Sequence, residues 1–534
     1  MNKNKTMKNI KLYFLLLVGA VGVMVYSSGC SDDFEEYNQD PFALTNDDLS
    51  ADYRLVGEPF INIIRNIYVH TPAWITQLQQ NLMGDVYSGY LMPPTPFAGN
   101  SNNMNYNLVD GWNTWAWNPA YQNVMAPALL VEQNAGTDFP EFLAWLDILK
   151  VEAMHRVTDI FGPIIYTQFG QIGADGSIAY DCQDVVYDAF FKDLDSGVDG
   201  LTAFVNSGAT SPFTAFDEVF AGDVTKWIQF ANSLRLRLAV RISKVDPARA
   251  KSEAEKAMNN SFGVMTTNDG NFTVKNEVDH PMNTINNAWN DIRMAAPMES
   301  ILVGFNDPRL PEYFRPAVQA EVAGEYKGIR LGIDIADKGT YVDYSALQDL
   351  GNVQLMVAAE VFFLRAEGAL RGWSMGGSAQ DLYEDGVRMS FDQYGLSGAD
   401  DYLADGTSMP IPYVDVNNSA NNVDAGNPNL STTTIQWQSG ASLEANLEQI
   451  ITQKWISVYP DGQEAWSEYR RTGYPKLFPV VINNSGGEID TDAQIKRIKY
   501  ISSEYAQNPG GVASGVSCLG GADTGGTSLW WDID

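Results

Sequence analysis

"FLAWLDILKVEAMHRVTDIFG" (142–162) decides the fold class. Phe142, Leu146, Leu149, Ala153, Val157 and Ile160 follow one another at steps of three or four, which puts them on one face of an α-helix. The same spacing recurs at Trp227, Phe230, Leu234, Leu238 and Ile242 in "KWIQFANSLRLRLAVRISKV" (226–245). It returns at Leu355, Ala359, Phe362, Ala366 and Leu370 in "QLMVAAEVFFLRAEGALRGW" (354–373), where the alanines let a neighbouring helix come close. "LEANLEQIITQKWISVY" (443–459) is a fourth helix, followed by the turn "PDG" and a shorter helix that stops at Gly473 with Pro475 beyond it. An earlier pattern runs from about Tyr53 to Tyr68. Paired helices joined by turns predict helical-repeat packing, although no fixed 34-residue period is present.

Between these helices lie irregular stretches. "GDVYSGYLMPPTPFAGNSNNMNYNLVDGWNTWAWNP" (84–119) is punctuated by Pro, Gly and Asn and reads as a long ordered loop. Asn- and Gly-rich insertions follow near 260–350 and 395–440, and the tail from about 480 is similar. "VMTTNDGNFTV" (264–274) alternates around Asn268-Asp269-Gly270 and predicts a β-hairpin.

The N-terminus carries its own signal. Lys3, Lys5, Lys8 and Lys11 precede an apolar run from Leu12 to Tyr26, closed by Ser27, Ser28, Gly29 and Cys30. At about 15 residues that run is short of the roughly 20 needed to span a bilayer, so it reads as a bacterial export signal. Small residues before a cysteine are similar to a lipobox, which makes Cys30 the lipidated first residue of the mature chain and residues 1–29 the signal peptide. The following "SDDFEE" opens an acidic tether over 30–50.

Composition narrows the function classes. The 34 basic against 66 acidic residues give a net charge of −32, or −36 once the four signal lysines are lost. A phosphate backbone is disfavoured by that field, so no nucleic acid is expected as partner, whereas a neutral ligand is indifferent to it. With Cys30 spent on lipid, only Cys182 and Cys518 remain; they are free to pair or not.

Taken in order, "NQDP" (38–41), "VTDIFGPIIYTQ" (157–168), "YDCQDVVYDAFFKDLD" (180–195), "FAGDVTKWIQFANSLRLRLAVRIS" (220–243), "NDPRLPEYFRP" (306–316), "EVFFLRAEGALRGW" (360–373), "QKWISVYPDGQEAWSEYRRTGYPKL" (453–477) and "LWWD" (529–532) resemble the SusD/RagB family of nutrient-binding outer-membrane lipoproteins, in its SusD-like branch. The resemblance implies a mainly α fold. Tetratricopeptide-like helix pairs would pack as a single large domain over 51–534, with loop-rich insertions near 85–118, 263–350 and 395–440 and a few short strands. It also implies a SusC-like TonB-dependent β-barrel transporter as partner, an outer-membrane location facing the cell exterior, palmitate-type lipidation, and capture of oligosaccharide without catalysis. The RagB side of the family allows oligopeptide instead. No family motif transfers residue by residue onto the loops that would hold ligand.

Candidate ligand residues therefore rest on chemistry. Sugars present apolar C–H faces and hydroxyl edges, which suit flat aromatics beside amides. "DGWNTWAWNPAYQN" (110–123) offers Trp112, Trp115, Trp117 and Tyr121 interleaved with Asn113, Asn118 and Asn123. Tyr87 and Tyr90 extend that set, and Trp289, Asn287 and Arg293 in "NNAWNDIR" (286–293) form a second one. A surface glycoside hydrolase is the catalytic alternative, since it needs only a pair of carboxylates. His70, His155 and His280 fall in no zinc spacing, and no nucleophile elbow or phosphate loop is present. Asp159, Gly162, Asp307, Pro308, Arg309, Arg470 and Arg471 read as turn and helix-end residues, and His155 as a packed one. No cofactor is expected beyond a possible structural calcium held by Asp415, Asn417, Asn418 and Asp424, whose spacing lacks the EF-hand glycine.

Overall fold

The computed structural model describes residues 52–275 and 279–533. The chain divides into two units, Met1–Leu55 and Val56–Asp534. The signal segment, Cys30 and the 30–50 tether belong to the first and lie outside the described residues.

The main helices are α1 (Arg54–Ile67), α2 (Asp110–Pro119), α3 (Ala126–Ala135), α4 (Pro140–Phe161), α5 (Gln183–Ser207), α6 (Val224–Arg241), α7 (Pro247–Asn259), α8 (Ala358–Leu370), α9 (Ala379–Gln393), α10 (Leu443–Ser457), α11 (Gly462–Thr472) and α12 (Pro509–Cys518). The fold is mainly α, as the helical spacing predicts. Pairing follows the order α4 on α5, α6 on α7, α8 on α9 and α10 on α11, with α6 and α10 both packed on α8.

Local signals place the helix ends. Asp223 caps α6 by accepting from Thr225 N and Lys226 N at 3.0 and 3.2 Å, and Ser442 caps α10 through Ala445 N at 3.1 Å. Asp461 caps α11, and Gly473 ends it in the left-handed region at φ +78°. The α4–α5 contact depends on an absent side chain. A Cβ on Gly197 would stand 2.9 Å from the Ala144 carbonyl oxygen and 2.7 Å from Ile148 Cγ1.

At the centre of the helical half the core is ionic. α4 supplies Glu152, His155, Arg156 and Asp159; α6 supplies Arg237 and Arg241; α8 supplies Glu360 and Glu367. Lys454 of α10 and Glu464, Glu468, Arg470 and Arg471 of α11 complete the set, with the cap Asp461, and all are 5% exposed or less. Arg237 holds Glu360 at 2.7 and 2.9 Å, Arg471 holds Glu367 at 2.7 Å through two nitrogens, and Arg156 holds Asp461 at 2.8 and 2.9 Å. Burial alone would push the Glu464 carboxyl up, but Arg241, Lys454 and Arg237 outweigh it and hold it down to about 2. Glu152 goes the other way. Neither of its oxygens finds a hydrogen-bond partner, and burial pushes it up to about 8 against the pull of Arg237 and Arg156. These groups fasten five elements to one another and have no open face for a substrate.

The C-terminal segment closes on the same helices. Trp531 is fully buried and donates its Nε1–H to Asp159 Oδ1 at 2.9 Å, while Trp530 N donates to Gln183 Oε1 at 2.9 Å. Cys518 at the end of α12 is disulfide-bonded to Cys182 before α5, 336 residues away in sequence.

Asp159 thus acts as a buried acceptor rather than a helix-end residue alone, while Gly162 does terminate α4 at φ +84°. Arg309 folds back on Asp307 at 2.7 and 2.9 Å, fixing the turn expected there. Arg471 pairs with Glu367 and Glu468, and Arg470 lies 3.6 Å from the Trp466 ring centroid and donates to Lys496 O. His155 is packed, with its pKa well below the usual value because of burial and then Arg237.

Three local expectations are corrected. Leu355, which the spacing puts on a helical face, lies in the strand Val353–Met356, and α8 starts only at Ala358. Asn268–Gly270 forms a single 3-10 turn, and the strand after it pairs far away. With strands β1 (Leu91–Met92), β2 (Phe272–Val274), β3 (Arg293–Met294) and β4 (Val353–Met356), the antiparallel pairs are β1 with β3 and β2 with β4. Thr273 faces Gln354 and Val274 faces Val353, so the partner of β2 comes from the lead-in to α8 and not from a hairpin. The end of the 84–119 stretch is also helical. α2 forms because Asn113, Ala116 and Trp117 bury one side of it, and it continues through a π-turn at Ala120–Met125 into α3.

Candidate functional site

The insertions converge through hydrogen bonds between their loops. Asn100 Nδ2 donates to Asp334 Oδ1 at 2.6 Å and to Ile335 O at 2.9 Å, and Thr95 Oγ1 donates to Asp291 Oδ1. Lys338 Nζ holds Asp291 Oδ1 and the Trp289 carbonyl, each at 2.6 Å. β1 and β3 join the same two regions, with Leu91 opposite Met294 and Met92 opposite Arg293.

Beside these loops stands an aromatic pair. Trp74 follows α1 on a single helical turn, Ala73–Thr76, and is 42% exposed. That turn is pinned from behind: Thr76 Oγ1 donates to Val69 O at 2.5 Å, and Val69 N donates to Gln79 Oε1 at 2.9 Å. Half-buried Trp115 of α2 meets Trp74 edge to face, centroids 4.7 Å apart and planes at 88°. Trp112 lies one step of three earlier on α2, hence beside Trp115, and meets Phe97 at 5.9 Å and 85°. Half-exposed Asn118 lies one such step further on. The Ala73–Thr76 turn also packs on Pro281–Asn283 and Thr284–Ala288, the segments that lead into half-buried Trp289.

Not every aromatic of this region is presented outward. Trp117 is 2% exposed and enclosed by Tyr121, Phe161, Tyr180 and Tyr500 at 4.8 to 6.0 Å. Tyr121 accepts from Ile165 N at 3.1 Å and stacks on Phe169 at 6.0 Å. Tyr87 and Tyr90 are buried and donate to the carbonyls of Asn103 and Trp455. Buried Asn113 accepts from Asn103 Nδ2 at 2.9 Å, and Asn123 donates to Asn66 of α1 at 2.9 Å. Arg293 spends its N–H groups on Val342 O, Ile292 O and Asn290 Oδ1. Burial lowers it to about 10. Trp117, Tyr87, Tyr90, Asn113 and Arg293 therefore hold the loops in place and offer a ligand no face. Some of their partners are near in sequence, such as Asn290 for Arg293, and others far, such as Trp455 for Tyr90.

Exposed Asn287 has a different setting. It donates to Asp349 Oδ1 at 2.7 Å and accepts from Arg315, which itself pairs with Asp349 at 2.6 Å. This polar triad is open to solvent. Trp74 and Phe97 are the residues missed by sequence reasoning. The available signal for Trp74 was an aromatic just after Pro72, in the break between α1 and the next element.

The calcium candidates have partners of another kind. Asp415 is 3% exposed, and its oxygens accept from Tyr341 Oη at 2.7 Å, Asn421 Nδ2 at 2.6 Å and Asn417 N at 2.9 Å. Asn418 caps the short turn Ser419–Asn421, and Asn417 accepts from Gln319 at 3.0 Å. Protein donors thus satisfy Asp415 as a loop organiser. Among the described residues no group of three or more His, Cys, Asp or Glu converges as a metal site. No helix among them is long and apolar enough to cross a membrane.

Residues 36–532 match the family model described as "SusD-like: Susd and RagB outer membrane lipoprotein". The chain belongs to this family. Among solved SusD homologs, a chitin-binding protein from Flavobacterium johnsoniae is 49% identical and superposes with a TM-score of 0.87 over 90% of this chain and 99% of its own. A SusD homolog from Bacteroides vulgatus is 37% identical, TM-score 0.84, over 91% and 99% of the two chains. One from Bacteroides uniformis is 38% identical, TM-score 0.81, over 90% and 99%. No curated protein matches the chain.

Proposed function

We propose that this SusD-like protein is lipidated at Cys30, faces the cell exterior, and captures oligosaccharide for a TonB-dependent β-barrel transporter without chemical turnover. The observation that carries the reading is the Trp74–Trp115 pair, an exposed and a half-exposed indole held edge to face on a pinned turn. Trp112, Asn118, Trp289 and the Asn287–Arg315–Asp349 triad add further aromatic and hydrogen-bonding surface from neighbouring segments. The chitin-binding relative at 49% identity favours a β-linked N-acetylated glycan as the ligand. An N-acetyl sugar suits the arrangement, because its methyl and C–H faces are apolar and its amide and hydroxyls need donors and acceptors.

One sugar face covering about 50 Å² of indole contributes on the order of 1 kcal/mol. Millimolar affinity needs about 4 kcal/mol, so several contacts act together. Capture beside a transporter tolerates such weak binding, since tethering raises the local concentration of what is caught.

The test is calorimetry of the mature protein with chitin oligosaccharides, repeated with Trp74→Ala and Trp115→Ala. Each change is expected to weaken binding about fivefold to tenfold, the equivalent of roughly 1 kcal/mol. Undiminished affinity in both variants refutes the platform. Binding of peptides but no glycan favours the oligopeptide reading, and release of reducing sugar that a single carboxylate change abolishes refutes the non-catalytic one.

A further inference from the structure

A cavity opens on the helical half, where α3, α4, α5 and the loop after α4 meet. Its volume is about 320 Å³, at the lower end of the range for small-ligand pockets. Tyr166 and Phe169 contribute rings to its lining, and Met125 and Leu129 add apolar surface. Its charged lining is two carboxylates, Glu132 and Asp193, against one ammonium, Lys150.

The charges are not evenly matched. Lys150 pairs with Glu132 at 2.9 Å and stands 3.9 Å from Asp147, one turn back on α4. Asp193 Oδ2 accepts from Tyr166 Oη at 2.5 Å, while Oδ1 takes no hydrogen bond from the described residues. Lys192, the other cation acting on Asp193, is an exposed residue of α5 outside the lining. Burial pushes Asp147 up to about 6, with Lys150 pulling against it and Asp193 adding to it. Tyr166 already has a cation over its ring, with Lys150 Nζ 5.9 Å from the centroid. A carboxylate oxygen without a donor, beside aromatic rings that accept a cation, is an environment for a ligand ammonium rather than for a neutral amide.

We propose that this cavity is a second sugar subsite that takes an amino sugar with a free amine, its ammonium on Asp193 Oδ1 and its ring against Phe169. The subsite has no lining residue in common with the Trp74–Trp115 pair and shares with the preceding reading only the premise that the ligand is a sugar. Glucosamine and N-acetylglucosamine differ in the charge on nitrogen, which makes them the discriminating probes.

Calorimetric titration of the mature protein with glucosamine at neutral pH is expected to saturate at one site per chain, with N-acetylglucosamine failing to compete. Asp193→Asn removes the charge but can still accept from Tyr166 Oη, so the fold is kept; it should weaken glucosamine binding at least tenfold. Phe169→Ala should weaken it as well, and Trp74→Ala should leave it unchanged. Three results overturn the proposal: no saturable glucosamine binding, binding that survives Asp193→Asn, or binding lost with Trp74→Ala. Failure of the chitin-oligosaccharide reading is read separately, from N-acetylated oligomers on the Trp74 variant.

Discussion

Replacing Glu152 by Gln should make the protein more stable at neutral pH, although it removes an acidic residue from the middle of an ion network. Glu152 is fully buried, its carboxylate oxygens have no hydrogen-bond partner, and Arg237 and His155 approach no closer than 3.8 and 3.7 Å. Its folded pKa is about 8 against 4.5 for an ordinary glutamate. A carboxyl with a raised folded pKa favours the native state fully below the unfolded value, and that contribution is lost as pH rises through the folded value. In the window from about 4.5 to 8 the loss is about 1.4 kcal/mol per pH unit, or about 3 kcal/mol by pH 7. Gln has the same shape and no proton to lose. Urea unfolding of wild type and Glu152→Gln at a series of pH values across that window is the assay. The stability difference should be near zero or slightly unfavourable to Gln at the acid end and should grow in favour of Gln with rising pH. Other buried acids, such as Asp85 at about 7, titrate equally in both proteins and cancel in the difference. A difference that stays constant with pH refutes the assignment of Glu152 as a buried, protonated acid.

Arg241→Met leaves Glu464, Glu468 and Asp159 without their shared cation and should cost about 3 to 5 kcal/mol at pH 7 by chemical denaturation. Because Glu464 is held down to about 2, its contribution is present above about 4.5 and lost as pH falls toward 2, so the gap to wild type should narrow on acidification; a gap that widens contradicts the assignment. The Cys182–Cys518 bond closes a loop of 336 residues, for which the chain-entropy relation gives a ceiling of about 6 kcal/mol. The double Cys→Ser variant should therefore melt below wild type, and reductant should lower the wild-type midpoint without moving that of the variant.

The helices were legible because their signals are local. Three-and-four spacing and a stop such as Gly473 act within one or two turns, and the structure places α4, α6, α10 and α11 where that spacing puts them, with α8 starting only after Leu355, which β4 takes up. Strand pairing was not legible. Asn268-Asp269-Gly270 carries a hairpin's composition, but the partner of β2 lies about 80 residues on, at Val353–Met356. The aromatic stretch of α2 shows the same limit at the site. Spacing says that Trp112 and Trp115 neighbour each other. That Trp117 is sealed depends on Tyr180 and Tyr500, and that Trp115 meets a ring depends on Trp74. Cysteine pairing was equally out of reach, since its two partners are brought together only by the finished fold.

The lodging of Trp531 against Asp159 has a temporal consequence. A polypeptide emerging amino end first can wind the helix bearing Asp159 early, yet the indole that donates to that carboxylate follows 372 residues later. Until that stretch has been made, the middle of the helical half lacks one of its donors and one of its largest side chains. The native arrangement is therefore completed only once residue 531 has emerged.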